Sequence, residues 1–456
     1  MNRLLNVMVG VLLFASSASV TAASRCTASP RIIESYIAPY VRTSNFSGVV
    51  LAACRGHPVF EKAYGFADRE KRIRNSLKTR FHIASMSMQF TAAAALRLID
   101  QGKLDLGTPV SKIIPGYPDG KGITVEHLLT ETSGIADINA QPDYADVLKR
   151  HQTPQSLVDH VRDLPPLRKP GTFEREEHSA YNLLALIIEK KTGLAFPDAV
   201  RELVFQPLGM ADSGIDDDSP AAARNAAKGY QPTGLYEIKP ADPIHWSAKA
   251  GNASAYTTAD DELKFNQAIL GDRFLSARLR AIVFDTGARV GYGWFKSDSR
   301  RFDQPVFSMN GRSPGFSSAV ADLARDHVFV VVLSNLYNSA PSDVSLELAA
   351  ILNGRPYQRL ALKTSVDSDT LSSLPASFQF EKDFYQADAL VRLHAINGEI
   401  FLDWPSGIRS ALIPTTKDHF VDRNFWVPVE IVRNASGEIE QLKYDRFLGK
   451  RVGGGN

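Results

Sequence analysis

Ser85 is the residue whose type and position first suggest chemistry in this sequence. It follows the strand-like run Phe81-His82-Ile83 and precedes a long apolar segment that predicts a helix ending near Asp100. Unpaired N–H groups at a helix start create a positive field, which would stabilise a developing oxyanion beside a serine hydroxyl. Serine is also a preferred N-cap residue, and its position alone favours that structural role.

Hydrophobic spacing predicts the elements that would position Ser85. Apolar residues at helical intervals predict helices, and short β-rich runs separated by turn residues predict strands. The predicted helices cover about 31–42, 85–100, 127–129, 155–163, 179–191 and 342–352, and the predicted strands cover 46–53, 58–65, 291–294, 316–321 and 328–333. A hairpin, a series of helices and then antiparallel strands favour an α+β domain, whose sheet is built from both ends of the segment.

The C-terminal part of the chain has a different pattern. Residues 356–375 are polar and predict a linker, and residues 376–456 show a period of two, typical of short strands. Asn397-Gly398 and Ser436-Gly437 are turn pairs of the kind that close β-hairpins. The sequence therefore predicts a small all-β C-terminal domain, most simply a barrel.

Composition excludes some classes of partner. The 456 residues suggest two or three domains, and 22% charged residues with a net charge of +2 are ordinary for a globular protein. This charge indicates no nucleic-acid partner and no anionic membrane surface.

The N-terminus predicts export. Residues 1–22 have a positive start, a short apolar core and a Val20-Thr21-Ala22 cleavage site, as in a secretory signal. The apolar run is too short to span a membrane, so no stable span is expected after cleavage, and the expected location is secreted or periplasmic. Cys26 and Cys54 would remain in the mature chain, either as one disulfide or as two buried thiols.

The sequence between about 44 and 355 resembles the serine β-lactamase and DD-peptidase superfamily, in its class-C-like branch. Matching stretches occur in the family's order and include 46–50, 63–68, 79–85, 127–135, 207–210, 257–265, 314–318 and 333–335. The resemblance implies an α+β fold with an antiparallel sheet flanked by helices, which would occupy residues 23–355. Residues 376–456 resemble, more loosely, the lipocalin-like appendix of some relatives.

The family's chemistry uses three motifs, and all three depart from the pattern here. In S-x-x-K the serine attacks a carbonyl and the lysine is its base or electrostatic partner, but this chain has Ser85 and Met88. Counting forward from Pro170-Gly171 and back from Tyr181-Asn182-Leu183-Leu184 places the tyrosine and asparagine of Y-x-N at Glu176 and His178. The third motif, H-x-G, falls at Met309 and Gly311.

Another stretch, Lys191-Thr192-Gly193, spells K-T-G, but it ends a predicted helix and is rejected as the third motif. Each lost general base or partner commonly costs about two to four orders of magnitude in rate. A catalytically inactive pseudoenzyme with a ligand-binding or regulatory role is therefore the expected function. No cofactor or metal is expected, and the cleft would take a small molecule or peptide, neutral or apolar because Met88 and Met309 carry no charge.

The alternative is a repurposed serine hydrolase, an esterase, amidase or peptidase. In this hypothesis His178 acts as the base for Ser85, and Glu176 or Glu177 orients the imidazole. The competing structural role of these residues, with Glu174, is a solvated charged loop.

Overall fold

The computed structural model describes residues 26 and 29–452, apart from 236, 286, 288, 360 and 364. The predicted signal segment, 1–22, lies outside the described residues. The α-helices are α1 (Pro30–Arg42), α2 (Ser87–Asp100), α3 (Val110–Ile113), α4 (Val125–Leu129), α5 (Tyr144–Val147), α6 (Pro154–Val161), α7 (His178–Thr192), α8 (Phe196–Val200), α9 (Ala259–Leu270), α10 (Ala277–Val283), α11 (Pro341–Leu352) and α12 (Ser368–Ser372).

Short 3₁₀ turns and one π-helical turn supplement these helices. The 3₁₀ turns are Ala84–Met86, Ile138–Ala140, Pro220–Ala223 and Trp246–Lys249, and the π-helical turn is Arg201–Phe205. The strands of the larger domain are β1 (Gly48–Cys54), β2 (His57–Tyr64), β3 (Phe66–Asp68), β4 (Ile73–Arg74), β5 (Phe81–His82), β6 (Gly214–Ile215), β7 (Tyr230–Pro232), β8 (Ile238–Pro240), β9 (Ala255–Thr257), β10 (Val290–Gly291), β11 (Trp294–Ser299), β12 (Gln304–Ser313), β13 (Phe316–Leu323) and β14 (Val328–Ser334).

A seven-stranded antiparallel sheet forms the centre of the larger domain. Its strand order is β10-β11-β12-β13-β14-β1-β2, so the first hairpin joins the five later strands by pairing β1 with β14, with Leu51 opposite Val331. Strands β1, β13 and β14 are buried at every residue, as expected of strands covered on both faces. The sheet is thus built from both ends of the domain, as the sequence predicts.

Helices α2 and α7 form the core on the Ser85 side of the sheet. Of the 14 residues of α2, 12 are buried, and α7 is buried from Ser179 to Ile188. A helix with apolar residues on all sides must lie inside the protein. Gly193 ends α7 in the left-handed conformation, with φ 72°, so the Lys191-Thr192-Gly193 stretch is a helix end as predicted.

The C-terminal domain is a closed antiparallel barrel of eight strands. These are β15 (Ala376–Gln379), β16 (Leu390–Ile396), β17 (Glu399–Asp403), β18 (Arg409–Pro414), β19 (His419–Asp422), β20 (Pro428–Arg433), β21 (Ile439–Tyr444) and β22 (Phe447–Val452). Closure by pairing of β15 with β22 leaves no open sheet edge.

The barrel packs against the larger domain through a shared apolar cluster. Trp426 lies 5.2 Å from the ring of Tyr40 in α1, and its indole N–H donates to the carbonyl of Asn338. Arg423 is fully buried and donates to Asn45 Oδ1 (3.0 Å) and to the carbonyl of Glu237 (3.0 Å). Because each N–H of a guanidinium donates in a defined direction, these hydrogen bonds fix the orientation of the barrel segment around Arg423 against the larger domain.

Four features differ from, or add to, the sequence expectations. The long strand β12 was missed because its polar residues interrupt the apolar pattern. The segment predicted as a linker contains α12. Cys26 and Cys54 form a disulfide with Cα atoms 6.1 Å apart, which resolves the open alternative. Within the described residues, none of the helices is both long and apolar enough to cross a membrane.

Candidate active site

Ser85 lies in the 3₁₀ turn that joins β5 to α2. Strand β5 pairs with β9, with Phe81 opposite Thr257, so the chain enters the turn from a fixed strand. Ala84, directly before Ser85, has φ 50°, an uncommon conformation for a residue with a side chain. The turn therefore holds Ser85 in a defined place at the start of the buried helix.

The Ser85 hydroxyl caps no helix. Neither the 3₁₀ turn nor α2 has a side-chain cap, and Ser85 Oγ makes no hydrogen bond to any residue that the structure describes. Ser87 takes the structural role instead: its hydroxyl donates to the Ala84 carbonyl (2.6 Å) and accepts from the Ala255 amide (2.9 Å). The N-cap interpretation of Ser85 is thus wrong, and its half-buried hydroxyl remains unused within the fold.

Gly311 is brought directly against the Ser85 backbone. A Cβ at Gly311 would lie 2.1 Å from the Ile83 carbonyl oxygen and 2.7 Å from the Ser85 amide nitrogen. Only glycine allows so close an approach of two backbones. Ser318, opposite Gly311 on β13, donates from its hydroxyl to the Ile83 carbonyl at 2.6 Å. The structure therefore places the third-motif position beside Ser85.

Met88 on α2 and Met309 on β12 are the apolar residues at the predicted motif positions, and we call them the apolar side of the Ser85 neighbourhood. Met88 is completely buried on α2, and Met309 is 2% exposed on the same face of β12 as Gly311. Both belong to the main hydrophobic core. A thioether at position 88 occupies space but has no nitrogen that could take the Ser85 proton. Gln89, the next residue, is also buried, and its amide has no hydrogen-bond partner among the described residues.

His178 is held by two carboxylates. Its Nδ1 lies 3.1 Å from Asp137 Oδ2, and its Nε2 lies 3.6 Å from Glu176 Oε2. Burial lowers the pKa of His178, but the hydrogen bond to Asp137 and the nearby carboxylate charges outweigh it, so the pKa is raised above its usual value. Among the described residues, no hydrogen bond joins His178 to Ser85.

Glu177 is buried and belongs to a different network. Its carboxylate accepts from the Ser133 amide (2.9 Å), the Ser133 hydroxyl (2.6 Å) and the Gly134 amide (2.9 Å), and it pairs with Arg168. The orienting partner of His178 is therefore Asp137, with Glu176 on the other ring nitrogen. Glu177 instead fixes the Thr-Ser-Gly turn. Glu174 lies at the edge, 57% exposed and 3.9 Å from Arg168.

Glu131 adds a further acidic group behind this network. It is buried, accepts from the Glu177 amide (3.1 Å), and has φ 57°. Burial, with the charge of Glu176 as the next cause, raises the pKa of Glu131 to about 8. This neighbourhood thus holds three glutamates and one histidine, whose charges depend on one another.

Lys249 was missed by the sequence reasoning. It is 6% exposed, and its ammonium donates to the Tyr144 hydroxyl at 2.9 Å. Burial lowers the pKa of Lys249 to about 8, and its charge also lowers the pKa of His178. Asp137 and Lys249 carry no local sequence signal of this role, because 41 residues separate Asp137 from His178 and only the fold joins them.

The site thus brings Ser85 and Gly311 together, and among the described residues Ser85 Oγ has no hydrogen-bond partner. A serine at the start of a buried helix, with a glycine-bearing strand beside it, is the arrangement implied by the resemblance to the serine β-lactamase and DD-peptidase superfamily. The Beta-lactamase family model matches residues 33–354. This chain therefore belongs to the β-lactamase family, which includes the penicillin-binding proteins among its relatives.

Individual relatives support this membership. The putative penicillin-binding protein PbpX of Bacillus subtilis (strain 168) is 28% identical over 70% of this chain and 78% of the relative. Penicillin-binding protein 4* of the same organism is 26% identical and covers 84% of this chain and 90% of its own length. Among solved structures, a penicillin-binding protein from Bacillus halodurans has a TM-score of 0.62 at 26% identity and covers 70% of this chain and 98% of its own.

A more complete structural match includes the barrel. The octameric penicillin-binding protein homologue from Pyrococcus abyssi has a TM-score of 0.65 and covers 92% of this chain and 99% of its own. At 20% identity, this likeness shows the fold alone. It confirms the predicted α+β domain with a C-terminal antiparallel barrel.

Proposed function

We propose that this protein is an exported, non-catalytic member of the β-lactamase family whose cleft binds a ligand without turning it over. The observation that carries the proposal is that Ser85 Oγ has no hydrogen-bond partner among the described residues, while the residue at the family's lysine position is a buried methionine, Met88. A serine hydroxyl is a weak nucleophile near neutral pH and needs an adjacent base. The thioether at the family's lysine position cannot act as one.

The second-motif positions support the same proposal. Both nitrogens of His178 face carboxylates, Asp137 at 3.1 Å and Glu176 at 3.6 Å, and the pKa of His178 is raised. A raised pKa favours the imidazolium, which has no lone pair to accept a serine proton. Because both ring nitrogens are directed at carboxylates and no hydrogen bond among the described residues joins His178 to Ser85, His178 does not serve as the base for Ser85 in this proposal.

The expected ligand is a neutral or apolar small molecule or peptide. Neither Met88 nor Met309 carries a charge that could attract a ligand carboxylate, and the charge of Glu176 disfavours such a carboxylate nearby. The side-chain amide of Gln89, four residues after Ser85, has no hydrogen-bond partner among the described residues. Because buried polar groups are nearly always satisfied by protein, water or ligand, this amide is a candidate hydrogen-bonding group for the ligand. The disulfide is consistent with an extracytoplasmic location, and we propose that the protein is secreted or periplasmic.

Intact mass spectrometry after incubation with penicillin tests the proposal. We expect no mass increase on the parent chain and no turnover of nitrocefin. An adduct of the mass of penicillin that disappears in Ser85→Ala would overturn the pseudoenzyme. His160→Ala serves as a surface control, since His160 makes an ordinary pair with Asp143 at 3.2 Å.

A second candidate function, a repurposed serine hydrolase, is favoured by one observation. Asp137 holds His178 by Nδ1, which is how a triad carboxylate orients its imidazole. Hydrolysis of p-nitrophenyl esters would have to disappear in both Ser85→Ala and His178→Ala, while His160→Ala retains it. Activity that survives either of the first two changes would exclude this candidate.

A further inference from the structure

A second cluster of chemically active side chains lies outside the Ser85 site. Asp218 Oδ2 is 3.0 Å from His151 Nδ1 and 3.1 Å from His245 Nδ1. The potential ligand atoms of the three residues all lie within 4.8 Å of one another. His151 and His245 are 59% and 44% exposed, and Asp218 is 21% exposed, so the cluster is open to solvent on the histidine side.

The carboxylate of this cluster is fixed by the backbone. Asp218 Oδ1 accepts from the Trp246 amide at 2.7 Å and from the Ser247 amide at 3.4 Å. The Asp218 amide in turn donates to Asp216 Oδ1 at 2.8 Å, which holds Asp218 at φ 70°. Because one oxygen is occupied by backbone donors, the other is directed at the two imidazoles.

The two histidines are also anchored through the backbone. The His245 amide donates to the Leu148 carbonyl at 2.8 Å. Next to His151, the Gln152 amide donates to the Ser247 hydroxyl at 3.0 Å. The three ligating residues therefore come from three chain segments that already hydrogen-bond to one another, which preorganises the cluster.

Two imidazole nitrogens and one carboxylate oxygen form a donor set that suits Zn²⁺. With zinc–ligand distances near 2.0–2.2 Å, the donors of a tetrahedral site lie about 3.3 Å apart, close to the two separations observed here. We propose that His151, Asp218 and His245 bind one Zn²⁺ or a similar divalent transition metal. The fourth position is left for water, as in three-ligand zinc sites.

The proposed metal would stabilise the segment from His245 to Lys249, which packs against the strand that precedes Ser85. Trp246, adjacent to His245, stacks on His82 with ring centroids 3.7 Å apart and planes at 5°. His82 also pairs with Asp216 at 2.8 Å and lies three residues before Ser85. Lys249 follows Trp246 by three residues in the same 3₁₀ turn. The metal would thus tie His151 and Asp218 to the turn that carries Lys249.

Zinc titration of the metal-stripped full chain tests the proposal. Isothermal titration with ZnCl₂ should give one strong site per chain, and His151→Ala and His245→Ala should each weaken it by at least about tenfold, since even partners of metal ligands are worth 10–100-fold. Titration with Co²⁺ should give the visible absorption of a tetrahedral nitrogen and oxygen site. Both rings are largely exposed, so the variants should fold, and melting in EDTA checks this.

His160→Ala is the matched control. His160 also pairs with an aspartate, Asp143, at 3.2 Å, and belongs to no three-ligand cluster among the described residues. Its removal should leave zinc affinity unchanged. The proposal is overturned if the parent chain binds no zinc, or if His151→Ala and His245→Ala bind it as tightly as the parent. In that case the cluster is a pair of ordinary histidine–aspartate hydrogen bonds.

Discussion

The two sides of the Ser85 site have departed from the family pattern in opposite ways. On the apolar side, formed by Met88 and Met309, the reactive positions carry uncharged side chains that join the hydrophobic core. On the charged side, formed by Glu131, Glu176, Glu177 and His178, the positions carry ionisable groups. The comparison teaches that an apolar side chain such as Met88 is accommodated by packing alone, whereas buried charges need partners.

The partners of the charged side are found within the fold. Glu177 has four donors, including Arg168, and His178 has Asp137 and Glu176. A buried charge without such partners costs several kcal/mol. The charged side is therefore a set of groups that depend on one another for stability, whereas the apolar side depends on packing.

The largest effect is expected from Glu177→Ala. The change leaves Arg168, whose side chain is 9% exposed, without its buried carboxylate, and removes the acceptor of the Ser133 and Gly134 amides. Breaking a buried pair by removing one partner costs about 3–5 kcal/mol of unfolding free energy, measured by urea denaturation. The control Glu174→Ala removes an exposed carboxylate near the same Arg168 and should cost less than about 0.5 kcal/mol. Equal costs for the two variants would contradict this account of the charged side.

Met88→Ala tests the apolar side. Truncating a fully buried methionine should cost about 2–5 kcal/mol, because it leaves a cavity in the core. Met88→Leu nearly conserves volume and should cost less than about 1.5 kcal/mol. The measurement is again the unfolding free energy in urea. If Met88→Ala proved as mild as Met88→Leu, position 88 would be loosely packed and the packing explanation would fail.

Asp137→Asn tests the pH dependence of the charged side. Because the pKa of His178 is raised in the folded state, its stabilisation is fully present below the unfolded value of about 6.5 and is lost as pH rises through the folded pKa. The variant should lose about 1.5–3 kcal/mol at low pH, the range for hydrogen bonds to charged groups. The loss should shrink above the folded pKa.

Unfolding free energies at pH 5.5 and pH 9 measure this difference. Asparagine keeps the Oδ1 that accepts from the Asn139 amide, so the helical turn after Asp137 is preserved. Asp143→Asn changes an exposed carboxylate beside the partly buried His160; it is the control and should show no comparable change. A penalty for Asp137→Asn that is equal at the two pH values would contradict the assigned His178 pairing.

The smallest effects distinguish the two serines at the start of α2. Ser87→Ala should cost about 1–3 kcal/mol, because it leaves the buried Ala255 amide without its acceptor. Ser85→Ala should stay within about 0.5 kcal/mol, since its hydroxyl makes no hydrogen bond to the described residues. Thermal melts of the two variants give the comparison. A larger loss for Ser85→Ala would show that its hydroxyl has a structural partner after all.

Much of the fold could be predicted from local patterns. The hairpin of β1 and β2, the helices α2 and α7 and the turn between β13 and β14 follow from apolar spacing and turn residues, and the structure confirms them. Strand β12 could not be predicted, because its alternation includes Asn310, Gly311 and Arg312, whose environment comes from neighbouring strands. The motif positions Gly311 and His178 were found only by counting from recognisable stretches.

By itself the sequence determined the β-lactamase-family fold, the position of Ser85 and the methionine three residues after it, because residue types and periodicity are local properties. Only the tertiary structure decided which groups meet. In the folded chain Asp137, and not Glu177, is the hydrogen-bond partner of His178, and Lys249 is buried beside Tyr144. Three further residues, His151, Asp218 and His245, lie within reach of one another. These contacts join residues far apart in the chain, and their energies depend on distance and burial in three dimensions, which no local pattern contains.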